Sequence, residues 1–518
     1  MQRIILTPSL ALALLFAFLA APPAAAAGDP LAGLDDSIAE ARELWQVPGL
    51  AAAVVKNGEV VFMDGFGKIE LGEDAEVNEH TLFTLASTTK AFVAVSLGML
   101  VDEGRLEWDD PVIEHLPGFR VADPYATREI TIRDILSHRT GVEPVDWLWV
   151  RGFEPDTSIE RLRYAEQAAS LRSAWIYNNM MYVVAGEIVE QVSGMPLPDF
   201  VRQRIFEPLG MEDSVFTRSD VLRTSGNVAG AHVYVDGEPR AVEPYRSTSP
   251  LGAAGIHSSA SDMTKWLTFL LNEGQANGRQ LLEPETLAEL LEPQIFAADA
   301  AYPAAKEADP HFFGYGFGWF VQDYEGRLLA MHTGSLFGAN ALVAMVPEEE
   351  LGLVILINAD PVEYRHAFMY DVIDRFLGTR ETDWSRHLHA VYANLEAADE
   401  AEYERAMAER VAGTEPSLPP EGYTGIYANP LVGNAEIAAD EEGLRLVLAP
   451  DVTFRLEHWS YDTFEAVHPL EPGFRFRLTF TLAPDGSARA FETRDGRHFE
   501  RLVCPEGADP GAAGAGCD

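Results

Sequence analysis

The chain has 518 residues, of which 81 are acidic and 38 are lysine or arginine, for a formal net charge of −43. So negative a surface repels nucleic acid and anionic lipid, and neither is expected as a partner. A hydrophobic content of 47% excludes a disordered chain, and the length exceeds one compact core, which predicts about two or three globular domains.

Residues 1–27 read as an export signal. Arg3 gives a positive start, 9–21 is an apolar run too short to span a bilayer comfortably, and Ala24 to Ala27 offer a small-residue cleavage site. No cysteine follows to carry a lipid, so the mature protein is expected to begin near Gly28 and to be secreted or periplasmic. Two apolar runs, 50–56 and 60–64, flank Asn57-Gly58, a strong hairpin signal because a type I′ turn needs positive φ twice. Residues 81–85 lead to Ser87, from which an apolar helical pattern runs to Glu103 and stops at Gly104. This helix is apolar nearly all round and is expected in the core. Further helices are predicted over 130–138, 179–192 and 261–272, with Ser261 or Asp262 near the last N-cap. Strands follow at 328–332, 340–346 and 352–357, with a turn over 347–351, then a helix over 362–377. The order implies one antiparallel sheet packed against helices, an α/β sandwich assembled from both ends of a domain at 28–380.

The composition then shifts. An acidic helix over 397–411 and a Pro-containing stretch over 413–420 make 381–420 a linker. Short alternating segments at 435–437, 444–448, 453–457, 464–467, 474–482 and 488–493 predict a small antiparallel β domain, barrel or sandwich, over 421–503. The Gly/Ala/Pro-rich tail, 504–518, is expected to be disordered. It holds Cys504 and Cys517, which could pair in an oxidising compartment; two cysteines cannot build a zinc ribbon or an iron–sulfur cluster.

Three stretches carry candidate chemistry. In Ser87-Thr88-Thr89-Lys90 the serine and lysine are three residues apart and share a helix face. A serine hydroxyl is a weak nucleophile until something takes its proton, which a buried amine of lowered pKa can do. The chain holds only Lys56, Lys68, Lys90, Lys265 and Lys306, so a lysine inside an apolar helix calls for a reason. Tyr177-Asn178-Asn179 opens a helix; the phenol can relay a proton, and an asparagine can bind both a lysine and a substrate amide. His332-Thr333-Gly334-Ser335 ends a predicted strand, where a backbone amide can complete an oxyanion hole with that of the nucleophile.

Together these elements, in this order, resemble the serine β-lactamase and penicillin-binding-protein superfamily, in the branch of class C β-lactamases, D-Ala-D-Ala carboxypeptidases, D-aminopeptidases and lactamase-like esterases. Leu136 to Gly141, Gly252 to Leu270 and Tyr315 to Trp319 are also similar to family segments, and the likeness covers about 34–377. The C-terminal β region resembles, more weakly, a barrel-like accessory domain of some such proteins. The resemblance implies Ser87 as the acylated nucleophile, Lys90 as base or sharing the proton with Tyr177, and Tyr177 as donor to the leaving group. It implies Asn179 as an orienting group, His332 at the third element beside Gly334, and the amides of Ser87 and Ser335 as oxyanion donors. It implies no metal or cofactor, and a small-molecule or peptide substrate. Penicillin-recognising members carry lysine where this chain has His332, and a histidine is mostly neutral at pH 7. An ester or a D-amino-acid peptide is therefore expected in preference to a β-lactam. Gly-x-Ser-x-Gly and His-Glu-x-x-His are absent from the sequence, so no other hydrolase motif competes; the alternative is a catalytically silent binding or regulatory protein on the same fold.

Overall fold

The computed structural model describes residues 29–223, 226–243, 251–379, 381–450, 452–470 and 473–502. The expected export segment and the tail with both cysteines lie outside the described residues.

The first unit is built on eight antiparallel strands: β1 (Gly49–Lys56), β2 (Glu59–Gly67), β3 (Ile295–Phe296), β4 (Phe313–Tyr315), β5 (Phe320–Tyr324), β6 (Arg327–Leu336), β7 (Ala339–Val346) and β8 (Leu351–Ile357). Their spatial order is β2-β1-β8-β7-β6-β5-β4-β3, so the N-terminal hairpin joins the sheet through β8. The turn predicted at Asn57-Gly58 is present, with φ of 54° and 75°. The central strands read as unbroken apolar runs because both faces are covered. On β7, Ala341, Val343 and Met345 enter one core while Leu342, Ala344 and Val346 enter the other. The first face carries helices α2 (Thr89–Asp102), α3 (Asn179–Ser193) and α4 (Ala260–Leu271); the second carries α1 (Leu34–Leu44) and α5 (Tyr364–Leu377). As its all-round apolar pattern predicts, α2 is buried from Thr89 to Leu100. The antiparallel α/β sandwich expected from the sequence is the fold observed.

Several boundaries differ from the sequence reading. The predicted helix over 130–138 shortens to Ile132–Leu136, because Thr131 and Asp134 form a capping box that fixes its start. Helix α4 begins earlier, since Ser259 accepts the Asp262 amide as N-cap. Most significantly, the stretch read as a linker holds one long helix, α6 (Trp384–Glu409), which starts well before residue 397. Its first turns bury Trp384 and Leu388 in the sandwich core, and its far end reaches the second unit, where the Tyr403 hydroxyl donates to Glu465 (2.7 Å).

That second unit is a closed antiparallel barrel of β9 (Gly425–Asn429), β10 (Gly433–Asp440), β11 (Gly443–Ala449), β12 (Val452–Ser460), β13 (Thr463–Val467), β14 (Arg475–Leu482), β15 (Ala488–Thr493) and β16 (His498–Arg501). Closure pairs β9 with β16 and removes the free edges of an open sheet. Among the described residues, no helix is long and apolar enough to cross a membrane.

Candidate active site

The nucleophile turn is built where the chain leaves a short bridge at Phe83–Thr84 and enters α2 through a 3₁₀ turn at Ala86–Thr88. Ala86 holds φ at 45°, a left-handed conformation that side-chain-bearing residues adopt at a cost of about 1–3 kcal/mol. Ser87 is thereby half-exposed while Lys90, one turn on, is fully buried. Lys90 Nζ lies 2.9 Å from Ser87 Oγ, 2.8 Å from Asn179 Oδ1 and 3.0 Å from the Ala253 carbonyl oxygen. The Tyr177 hydroxyl donates to Ser87 Oγ at 2.9 Å. Asn178 caps α3 by accepting the Met180 amide (3.0 Å), which leaves the next side chain, Asn179, at the helix opening and facing Lys90.

Burial drives the Lys90 amine well below its ordinary value, against an opposing pull from the Asp146 carboxylate. Burial pushes the Tyr177 phenol the other way, well above its ordinary value, which the bond to Ser87 only partly offsets. The three oxygen partners serve either charge state, since an ammonium can donate to all three and a neutral amine to the two carbonyl oxygens, and it is burial that favours the neutral form. A neutral amine has two N–H bonds and one lone pair, and the Asn179 Oδ1 and Ala253 carbonyl oxygens can only accept. In the neutral form both hydrogens go to them, and the lone pair is then available to the Ser87 hydroxyl proton.

The third element lies at the C-terminal end of β6, which is longer than expected. Strand β6 runs on to Leu336, so His332 to Ser335 lie in its last five residues, and the strand ends four residues later than expected. His332 is buried, with both ring nitrogens engaged inside the fold: Tyr315 donates to Nε2 (2.9 Å), and Nδ1 donates to the Thr333 carbonyl (2.6 Å). Burial drives its pKa down to about 3, so it is neutral at pH 7. Those two bonds engage both ring nitrogens. Gly334 is required on steric grounds. A Cβ there would lie 2.1 Å from the Leu85 carbonyl oxygen, so only glycine lets β6 pass against the nucleophile turn. The Ser335 hydroxyl donates to Asn340 Oδ1 (2.7 Å) and accepts from Arg365 (2.9 Å).

Three groups escaped the sequence reading. The Ala253 carbonyl is main chain and carries no side-chain signal. Tyr315 was part of an aromatic-glycine run, with nothing to reveal its bond to His332. Asp146 accepts from Asn179 Nδ2 at 3.0 Å, from a loop with no motif. Among the described residues, no cluster of three His, Cys, Asp or Glu side chains is placed to hold a metal ion.

The model of the β-lactamase family matches residues 35–375, the sandwich with all three elements. The chain belongs to the β-lactamase family of serine hydrolases. A second model, described as a domain of unknown function (DUF3471), matches residues 409–503. Among curated relatives, an unguisins hydrolase of Aspergillus violaceofuscus is 30% identical over 501 residues, covering 89% of this chain and 87% of the relative. Penicillin-binding protein 4 of Amycolatopsis lactamdurans is 28% identical over 64% of this chain and 85% of its own length. Among solved structures, an octameric penicillin-binding protein homologue from Pyrococcus abyssi covers 91% of this chain and 100% of its own, with a TM-score of 0.59 at 21% identity, a likeness of fold.

Proposed function

We propose that this family member is an exported hydrolase that acylates Ser87 with an ester or peptide amide, a D-amino-acid peptide or small ester in preference to a β-lactam. The observation that carries the reading is the buried Lys90 amine 2.9 Å from Ser87 Oγ, held at 2.8 and 3.0 Å by two oxygens that can only accept. Ser87 Oγ attacks the substrate carbonyl as its proton passes to Lys90 Nζ. The Tyr177 hydroxyl, kept protonated by burial, gives its proton to the leaving group and regains one from the Lys90 ammonium. The proton lost by serine thus ends on the leaving group, and water then cleaves the acyl ester. The backbone amides of Ser87 and Ser335 are assigned to the oxyanion. Asn179, held between Lys90 and Asp146, orients Lys90, and its remaining Nδ2 hydrogen is assigned to a substrate carbonyl.

The substrate ranking rests on His332. A β-lactam brings a carboxylate, and the position that would meet it holds a buried neutral imidazole instead of a permanent cation. The neighbouring Arg365 is buried and paired with Glu363 (2.9 Å). The name of a relative that spans 89% of the chain, a hydrolase, agrees with the reaction class. Export is proposed on the charge and apolar pattern of residues 1–27.

A panel of a short-chain p-nitrophenyl ester, a D-alanyl p-nitroanilide and a chromogenic cephalosporin, each given to wild type and Ser87→Ala, tests the reading. Turnover of the ester or anilide that vanishes in Ser87→Ala is expected. Strong cephalosporin turnover with weak ester turnover would reverse the ranking, and activity surviving in Ser87→Ala would end the assignment.

A further inference from the structure

The barrel takes hold of one particular loop of the sandwich. Arg497, in the turn between β15 and β16, donates to the Glu143 carboxylate and the Pro144 carbonyl, both at 3.2 Å. Trp147 packs on two barrel rings, Phe476 at 5.6 Å and Phe454 at 6.5 Å between centroids. It lines the same small cavity as Val432, Leu446 and Phe491 of the barrel. Arg151 donates to the Leu448 carbonyl. These grips fall on both sides of Asp146, the residue that holds Asn179 Nδ2 at 3.0 Å while Asn179 Oδ1 accepts from Lys90 at 2.8 Å. A second path runs through Glu143, whose carbonyl accepts from the Asn178 side chain (2.8 Å), the N-cap of the helix that presents Asn179.

We propose that Asp146 is a positioning residue for the Lys90 base, and that the barrel serves the reaction by clamping the 143–151 loop so that Asp146 stays on Asn179. This rests on the reading of Lys90 as the base. Asn179 can turn its amide either way, and only with Nδ2 pinned to a carboxylate is its oxygen committed to Lys90. An oxygen toward Lys90 draws off one N–H and helps aim the lone pair at Ser87. The Asp146 charge has a second effect. The groups facing Lys90 are Tyr177 and Tyr182, whose rings lie 4.8 and 5.5 Å from Nζ, His138 and His332 through space, and Asp146. Burial holds both phenols protonated and both imidazoles neutral at pH 7, which leaves Asp146 as the anion of the set. It favours the protonated amine and so sets the low-pH edge of activity.

The test is the pH profile of kcat/KM for ester hydrolysis by the full-length protein. Asp146→Asn, isosteric and uncharged, is expected to move the acid limb to lower pH. Arg497→Ala, on the barrel, is expected to move it the same way by less and to lower kcat about tenfold, because Asn179 loses its fixed orientation. Asp146→Glu should restore the wild-type limb. Arg489→Ala, an exposed barrel arginine paired with Glu500, serves as control and should leave the profile unchanged. Thermal midpoints and circular dichroism show which variants fold as wild type. An acid limb unmoved in a folded Asp146→Asn overturns the role of Asp146, and a wild-type profile in Arg497→Ala overturns the role of the barrel. A fluorophosphonate probe on Ser87 separates this from failure of the underlying reading. Labelling that is intact while the limb stays put defeats the clamp alone; no labelling of wild type defeats both.

Discussion

Replacing Lys90 by methionine separates catalysis from folding, because the lysine is needed for one and is a burden on the other. In an unfolded chain the amine keeps its proton up to its ordinary value of 10.5, whereas burial in the folded state releases it well below that. Between the two values the unfolded state binds one more proton, so wild-type stability should rise with pH by about 1.4 kcal/mol per pH unit. Lys90→Met has no such proton. It leaves Asn179 Oδ1 and the Ala253 carbonyl without their donor, at about 1–3 kcal/mol each, but that cost does not depend on pH. The sign of the difference at one pH is therefore uninformative, while its slope is diagnostic. The stability of Lys90→Met relative to wild type should fall by about 1.4 kcal/mol for each unit of rising pH. The slope is read on the alkaline side of neutrality and below 10.5, where His138 and His332 stay neutral and Tyr177 stays protonated in the folded state. Urea unfolding followed by the fluorescence of the buried Trp266 and Trp319 measures the difference. Turnover should meanwhile drop by about 10³-fold. A pH-independent stability difference would mean that the folded amine keeps its proton, and the base assigned to Ser87 would be gone.

Tyr177→Phe should keep the fold, lose one hydrogen bond to Ser87 and lower kcat by about 10²–10³-fold, read by steady-state ester hydrolysis; near wild-type turnover would remove the tyrosine from the proton path. Gly334→Ala places a Cβ 2.1 Å from the Leu85 carbonyl oxygen, an approach that must push β6 off the nucleophile turn. A cost of about 1–3 kcal/mol in stability, with activity lost beyond that, is expected, and an unchanged melting midpoint would refute it. Asp374 is buried and accepts from the Tyr324 hydroxyl (2.6 Å), Trp384 Nε1 (2.8 Å) and the Thr379 hydroxyl (3.0 Å), joining α5 to the start of α6. Asp374→Ala strands three donors and should cost about 3–5 kcal/mol in denaturant unfolding, with kcat of the surviving folded protein little changed.

How much of this was legible in the sequence follows from where each signal lives. The β1–β2 hairpin, the core helix α2 and strands β7 and β8 are local patterns, and local patterns survive folding: positive φ at Asn57-Gly58 and apolar positions on all sides of α2 say the same thing before and after. Strands β3 to β5 escaped because their partners decide them; Phe313–Tyr315 is too short to carry a period of its own. The start of α6 was hidden for the same reason, since its first turns are tied down by Trp384 and Leu388 packing on distant residues. The active site divides the same way. Ser87 and Lys90 sit three residues apart on one helix, so spacing alone brings them together. Asp146 lies 33 residues from the asparagine it holds, one of 81 acids in the chain, and nothing local marks it out. What singles it out is a neighbour still further away in sequence: the barrel turn at Arg497, which meets Glu143 354 positions upstream, three residues before Asp146.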